Sequence, residues 1–232
     1  MSRSAPTNGS APPEPSGRPP RSDGVRRREL SARNLHERIE AAAVHVIAAQ
    51  GYEASTLADI CSEAEVSEEV FHEHFKNKQE AAMSALETSV DQVMLDLREI
   101  FGAAASWPEG IWQAIDAVLE WMVNEPAFAR LAFVEMLAAG QPGLDLLQSL
   151  MDAFAMFLEP GYELAPEKAP SRRLVDETVA NAIFGLVNEH IVREGSTANI
   201  RTLLGEMVRR ILTPFLGAEQ AAAFVAQRSE QG

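Results

Sequence analysis

Ser55 to Lys78 reads STLADICSEAEVSEEVFHEHFKNK, and this stretch decides the fold. Thr56 is placed to cap a short helix containing Leu57, Ile60 and Ala64, and Ser67 to cap a second containing Val70, Phe71 and Phe75. The reason is that a Ser or Thr oxygen satisfies an orphan N–H of a first helical turn. Only a few residues lie between the two. Such a pair is the layout that sets a second helix in a DNA major groove while the first crosses the backbone, although it also occurs as ordinary helix packing. On the N-terminal side, Leu35, Ile39, Ala42, Ala43, Val46 and Ile47 recur at helical spacing and predict a first helix stopping at Gly51. On the C-terminal side, Asn77 with Glu80 three residues on is close to a capping box. It opens a long fourth helix towards Phe101, with Met83, Leu86, Val90, Val93 and Leu97 as its stripe.

Farther along, Pro108, Pro126 and Pro142 stand where helices start, since a missing N–H costs nothing there, and they divide 108–158 into three helices. Gly161 to Pro170 reads as a loop, followed by long amphipathic helices at 171–194 and 199–216. No segment has the pattern of a strand. The expectation is an all-α chain of about nine helices: a basic disordered arm (1–33), a helix-turn-helix domain (34–86), a helical ligand-binding and dimerisation domain (87–220) and a tail (221–232).

The 232 residues suffice for one sizeable core or two modest domains, and they carry a net charge of −14. Nonspecific DNA affinity comes from Lys and Arg displacing counterions, so a DNA contact here must be local. The arm, at net +4 with seven arginines, is the basic part, whereas 34–86 carry −7 and the remainder −11. A single cysteine, Cys61, excludes an internal disulfide and a Cys-rich zinc site and suits a reducing cytoplasm. There is no apolar run before Leu30 and no uninterrupted apolar stretch of roughly 18 to 20 residues, so neither a signal peptide nor a membrane span is expected.

The segment GYEASTLADICSEAEVSEEVFHEHFKNKQEA at 51–81 closely resembles the N-terminal domain of the TetR family of bacterial transcriptional regulators. The likeness rests on Gly51-Tyr52, Ser55-Thr56, Ile60, Ala64, Val66-Ser67, Phe71, His74-Phe75 and Asn77-Lys78, and covers about 35–86. EPAFARLAFVEMLAAG at 125–140 and LTPFLGAEQ at 212–220 are similar to ligand-binding domains of actinobacterial-type members. The resemblance implies a homodimer that binds operator DNA and releases it when a small apolar or amphipathic effector enters the C-terminal domain. Carried over by position, Thr56 and Lys78 match phosphate-contacting positions and Ser67 matches the helix cap. Val70, His72, Glu73 and His74 match positions facing the groove.

Four departures stand out. Glu65 occupies the usual glycine of the turn, where a left-handed backbone costs a non-glycine residue of order 1–2 kcal/mol. Glu68 and Glu69 stand where the family commonly has basic residues or glycine, and Val70 and His72 replace the usual Thr and Tyr. One carboxylate about 7 Å from a phosphate loses only ~0.6 kcal/mol in a water-like dielectric, so repulsion alone does not abolish binding, but the lost attractive contacts add to it. Two compensations are open: a glutamate can accept from a cytosine amino group, and the Arg-rich arm can enter the minor groove. Against them stand two plainer readings, acids that favour the positive end of a helix dipole and an arm that is only a soluble tail.

In the C-terminal half, Trp112, Trp121, Phe128, Phe133, Met136, Phe154, Phe157 and Asn181 are the candidate effector-binding residues, with ordinary core as the competing reading. Ile183, Leu186, Val187, Leu204, Met207 and Ile211 are the candidate dimer contacts, with Ala182, Gly185 and Gly205 allowing close helix approach; the alternative is that these helices cover the chain's own core. His36, His45, His72 and His74 lack metal-ligand spacing. No phosphate-binding glycine loop, nucleophile elbow or cofactor motif occurs, so neither an enzyme nor a cofactor is expected. The reading is a ligand-responsive repressor; the alternative is a TetR-fold protein that has lost operator binding and works through protein partners or as a ligand sensor.

Overall fold

The computed structural model describes residues 21–165 and 171–230, with side chains from residue 32 onward. Among these residues the chain is all-α, with ten helices where about nine were expected. They are α1 Arg21–Gln50, α2 Leu57–Glu63, α3 Glu68–His74, α4 Lys78–Ala103, α5 Trp107–Asn124, α6 Pro126–Phe133, α7 Gln141–Ala155, α8 Arg172–Glu194, α9 Leu204–Leu216 and α10 Ala218–Ser229. Short 3₁₀ stretches run over Glu135–Ala139, Glu159–Glu163 and Ile200–Leu203. The chain separates into two units, one ending at His36 and the other running from Glu37 onward; the second holds the cores and the helix-turn-helix.

Three boundaries differ from expectation. Helical backbone reaches back to Arg21, so 21–33 are helix where a disordered arm was expected. The run RRRELSAR is made largely of good helix formers, which outweigh the single Gly24 before it. Residues 1–20 of the arm, 166–170 of the expected loop and 231–232 of the tail lie outside the described residues. Much of the expected tail is α10, started by a turn at Gly217 (φ +82°) and anchored by fully buried Ala221. The helix expected over 199–216 divides into a 3₁₀ turn and α9.

The prolines act as expected: Pro108, Pro126 and Pro142 lie in the first turns of α5, α6 and α7. The largest core gathers Ile111, Leu119, Val187, Ile191, Ile211 and Phe215 from α5, α8 and α9. A second core matters more for function. Val44 and Ile47 of α1 and Ala82, Ala85 and Leu86 of α4 pack with Leu131, Met136 and Leu146 of the α6–α7 region, so the helix-turn-helix end and the C-terminal helices share one apolar cluster. Close packing persists at Gly143 in α7, where a β-carbon would stand 2.0 Å from the carbonyl oxygen of Met136. Alanine cannot replace it without backbone movement, because the obstacle is main chain.

Candidate functional site

Helices α2 and α3 are built from their caps. Thr56 Oγ1 accepts from Asp59 N at 3.1 Å and Asp59 Oδ2 accepts from Thr56 N at 3.0 Å, a reciprocal capping box. Thr56 also donates its hydroxyl to Asp59 Oδ2 at 2.6 Å, and these two bonds to the carboxylate, side chain first and then backbone, hold the Asp59 carboxyl below its ordinary range. Ser67 Oγ accepts from Val70 N at 3.2 Å and caps α3. Between them Glu65 lies at φ +51°, the one non-glycine residue at positive φ among those described. Glu65 N donates to Ser62 O at 3.2 Å and Val66 N to Cys61 O at 2.9 Å, a Schellman closure that satisfies the last carbonyls of α2. Phe71 and Phe75 are buried beneath α3, with ring centroids 5.8 Å apart.

Glu68, Glu69, His72 and Glu73 are exposed on α3, while Val70 and His74 are half-buried. His72 Nδ1 lies 3.3 Å from the Phe75 carbonyl, to which it donates. Thr56 and Ser67 are exposed beside them. The outer face of α3 is therefore acidic and carries neither Lys nor Arg. Cys61 is buried below it, and burial first, then the Glu68 charge, pushes its thiol pKa upward.

Lys78 does not stand free as a phosphate contact requires. Its ammonium donates to Tyr52 O, to Ser55 O at 2.7 Å and to Ser55 Oγ at 3.4 Å, and lies 4.6 Å from the centre of the Tyr52 ring. Three N–H donors thus meet three oxygens, and α4 is bolted to the loop that carries α2. The same loop is held from the other side: Glu135 Oε2, buried in the 3₁₀ turn after α6, accepts from Tyr52 N at 2.9 Å. Its Oε1 pairs with Arg130 at 3.0 Å, and Gln79 Nε2 donates to Ala139 O at 2.7 Å. Both oxygens of Glu135 are thus spent on this joint.

Behind α4 lies a cavity of about 180 Å³ lined almost wholly by apolar groups. Trp121, Phe133 and Phe154, expected from sequence, line it, together with Val90, Val93 and Met94 of α4. The other expected effector residues sit elsewhere. Trp112 packs against Phe224 of α10, and Phe128 and Met136 belong to the apolar cluster shared with α1 and α4. Phe157 stacks on Phe101 at 4.7 Å, and Asn181 is exposed, donating to Glu177 O at 2.7 Å. Sequence reasoning counts Val90 and Val93 as the core stripe of α4; periodicity shows which face turns inward but not whether that face meets atoms or space.

Among the expected dimer contacts, Val187, Met207 and Ile211 are 0–1% exposed in the single chain. They are core, with Val187 and Met207 also lining the cavity, and are corrected as such: tightly packed side chains cannot reach a partner. Ile183 lines the same cavity, Leu186 and Leu204 pack on the main core, and Gly205 faces Val225 of α10. The exposed side of α8 instead carries Leu174 (54% exposed), Thr178, Asn181, Gly185 and Val192 (60% exposed) at spacings of three, four and seven. A β-carbon on Gly185 would meet nothing within 4 Å.

Among the described residues no three His, Cys, Asp or Glu side chains gather as a metal site, and no helix is long and apolar enough to cross a membrane.

Residues 39–80 match the sequence family described as bacterial regulatory proteins, tetR family. No curated protein sequence matches the chain. The fatty acid degradation regulator FadR from Bacillus halodurans superposes with a TM-score of 0.68 at 17% identity, covering 76% of this chain and 94% of that one. The transcriptional regulator FadR from Bacillus subtilis, in complex with stearoyl-CoA, gives 0.66 at 17% identity over 77% and 98%. RolR in complex with resorcinol gives 0.59 at 12% identity over 86% and 96%. At these identities the likeness is one of fold.

Proposed function

We propose that this chain, which carries the N-terminal domain of tetR-family bacterial regulators and shares their fold, is a homodimeric repressor that leaves its operator when an apolar or amphipathic molecule fills the cavity behind α4. The observation that supports this most is the double use of α4. Val90, Val93 and Met94 form a wall of the cavity, and Lys78 at the start of the same helix holds the Tyr52–Ser55 loop in front of α2. A ligand that displaces the wall moves the loop, because a packed helix shifts as a unit. Relatives of this fold hold ligands as different as stearoyl-CoA and resorcinol, in keeping with a cavity whose lining rather than its frame sets the ligand. In the proposed dimer the exposed stripe of α8 meets its own copy, Gly185 letting the two helices approach.

A second reading is favoured by the acidic face of α3: a sensor of the same fold that no longer binds an operator. A mobility-shift titration with DNA from upstream of the protein's own gene, repeated across salt concentrations, separates the two. Retention at low salt, with a steep salt slope that falls when residues 1–33 are deleted, supports the repressor and the arm together. No retained fragment at any salt refutes it. Glu68→Arg with Glu69→Arg then changes sequence preference if the glutamates read bases, and creates new nonspecific affinity if they do not.

A further inference from the structure

Resting on the reading of the α4 cavity as the effector site, we propose that the effector is a cationic amphiphile, an amine or quaternary ammonium with a short hydrocarbon or single-ring body, and not an anionic thioester or carboxylate. The cavity itself offers no charge: its described lining is apolar save for Ser89 and the indole N–H of Trp121. A buried charge would cost several kcal/mol there, so an ionised head must stay outside. The volume of about 180 Å³ sets the body, since an apolar cavity of about 150 Å³ takes one benzene ring.

Outside, the cavity adjoins a larger cleft of about 710 Å³ between α4 and α7, with Val90, Met94, Leu146 and Leu150 along its floor. Val90, Met94 and Leu150 line both spaces. Leu95 and Met156, both about half exposed, form an apolar rim. Its charged residues are Glu87, Asp91 and Asp145 against Arg98. Glu87 and Asp91 flank Val90 on α4, so a head group tethered to a body in the cavity emerges beside two carboxylates. On the far side of α7 a second cleft shares Met151 and Ala180 with the cavity. It repeats the sign: Asp152, Asp176 and Glu177 against Arg173, whose guanidinium Glu177 already binds at 2.6 Å. By either opening, the described surroundings of the head are acidic by three to one. An anionic head meets one guanidinium against three carboxylates and is repelled on balance; a cationic head is attracted, and the apolar cavity cannot tell the two apart.

The test is calorimetric titration of the full-length protein with octylamine, octanol and octanoate, which share one body and differ in head charge. The amine is expected to bind tightest and the carboxylate weakest, with the order compressing as salt rises. The triple variant Glu87→Gln, Asp91→Asn, Asp145→Asn is expected to weaken amine binding about threefold to tenfold and leave octanol unchanged. Equal affinity for all three probes, or tightest binding of octanoate, overturns the charge assignment while leaving the cavity as a binding site. If none of the three binds and Ala132→Phe, which fills the cavity, changes nothing, the effector-site reading itself fails.

Discussion

At the residue scale the turn between α2 and α3 is where this chain bears a visible local cost. Glu65 sits at φ +51° and still closes the Schellman hydrogen bonds, so the conformation is imposed by the helices on either side rather than by its own preference. Arg38 Nη2 reaches the Glu65 carbonyl at 3.4 Å, a contact that survives any change of side chain. Glu65→Gly is therefore expected to raise stability by about 0.5–1 kcal/mol in urea unfolding, the relieved strain being partly offset by the freer unfolded chain. Glu65→Ala, which keeps a β-carbon, should give no such gain. Asp59 makes a second prediction at this scale. Its folded pKa is depressed by the Thr56 hydrogen bonds, so the stability it contributes is full above the ordinary Asp value of 3.8 and is lost as pH falls through the lower folded value. NMR titration should place its midpoint below 3.8, and Thr56→Ala should return it towards that value.

Elements show how far a sequence can be read. Caps and breakers act within four residues, and Thr56, Ser67, Asn77, Pro108, Pro126 and Pro142 accordingly mark helix starts by residue type and spacing alone. The departure at Glu65 is legible for the same reason. The destination of a long side chain depends on elements far away in the chain: nothing local to Lys78 distinguishes an ammonium aimed at a phosphate from one aimed at Tyr52 and Ser55, 26 and 23 residues earlier. Likewise Trp121 and Trp112 look alike in sequence, yet one lines the cavity and the other lies under α10, a helix that the Ala-rich end of the chain conceals as a tail. The internal role of Lys78 is testable apart from DNA. Lys78→Met keeps the aliphatic stem and removes the charge, leaving the Ser55 carbonyl without its Lys78 donor and the Tyr52 carbonyl with the Ser55 hydroxyl alone. A loss of about 1–3 kcal/mol in unfolding free energy is expected, with the salt slope of DNA binding unchanged. A phosphate contact would instead lower that slope by about one with little change in stability.

For the whole molecule the decisive quantity is which apolar surface stays uncovered. The faces that helical spacing assigns to a dimer seam, around Val187, Met207 and Ile211, are consumed by the protomer's own core, because α5 and α8 close over α9 and α10 covers what remains of it. The outer side of α9 is charged, with Arg209 and Arg210 both bound by Glu206, each contact at 2.6 Å. Those bonds, Arg210 first, hold the Glu206 carboxyl below its ordinary range. One uncovered apolar surface is the stripe of α8, apolar at both ends with Gly185 near its middle, and its spacing is that of a helix-pair seam. Leu174→Glu with Val192→Glu places two like charges against their symmetry mates in the proposed dimer while touching nothing buried. Sedimentation equilibrium should then report a monomer with unchanged helical content, whereas the parent chain should sediment at twice its mass. An unaltered assembly state in the variant would move the seam off this face of α8, and a palindromic operator read by two heads at fixed separation would then need a different axis.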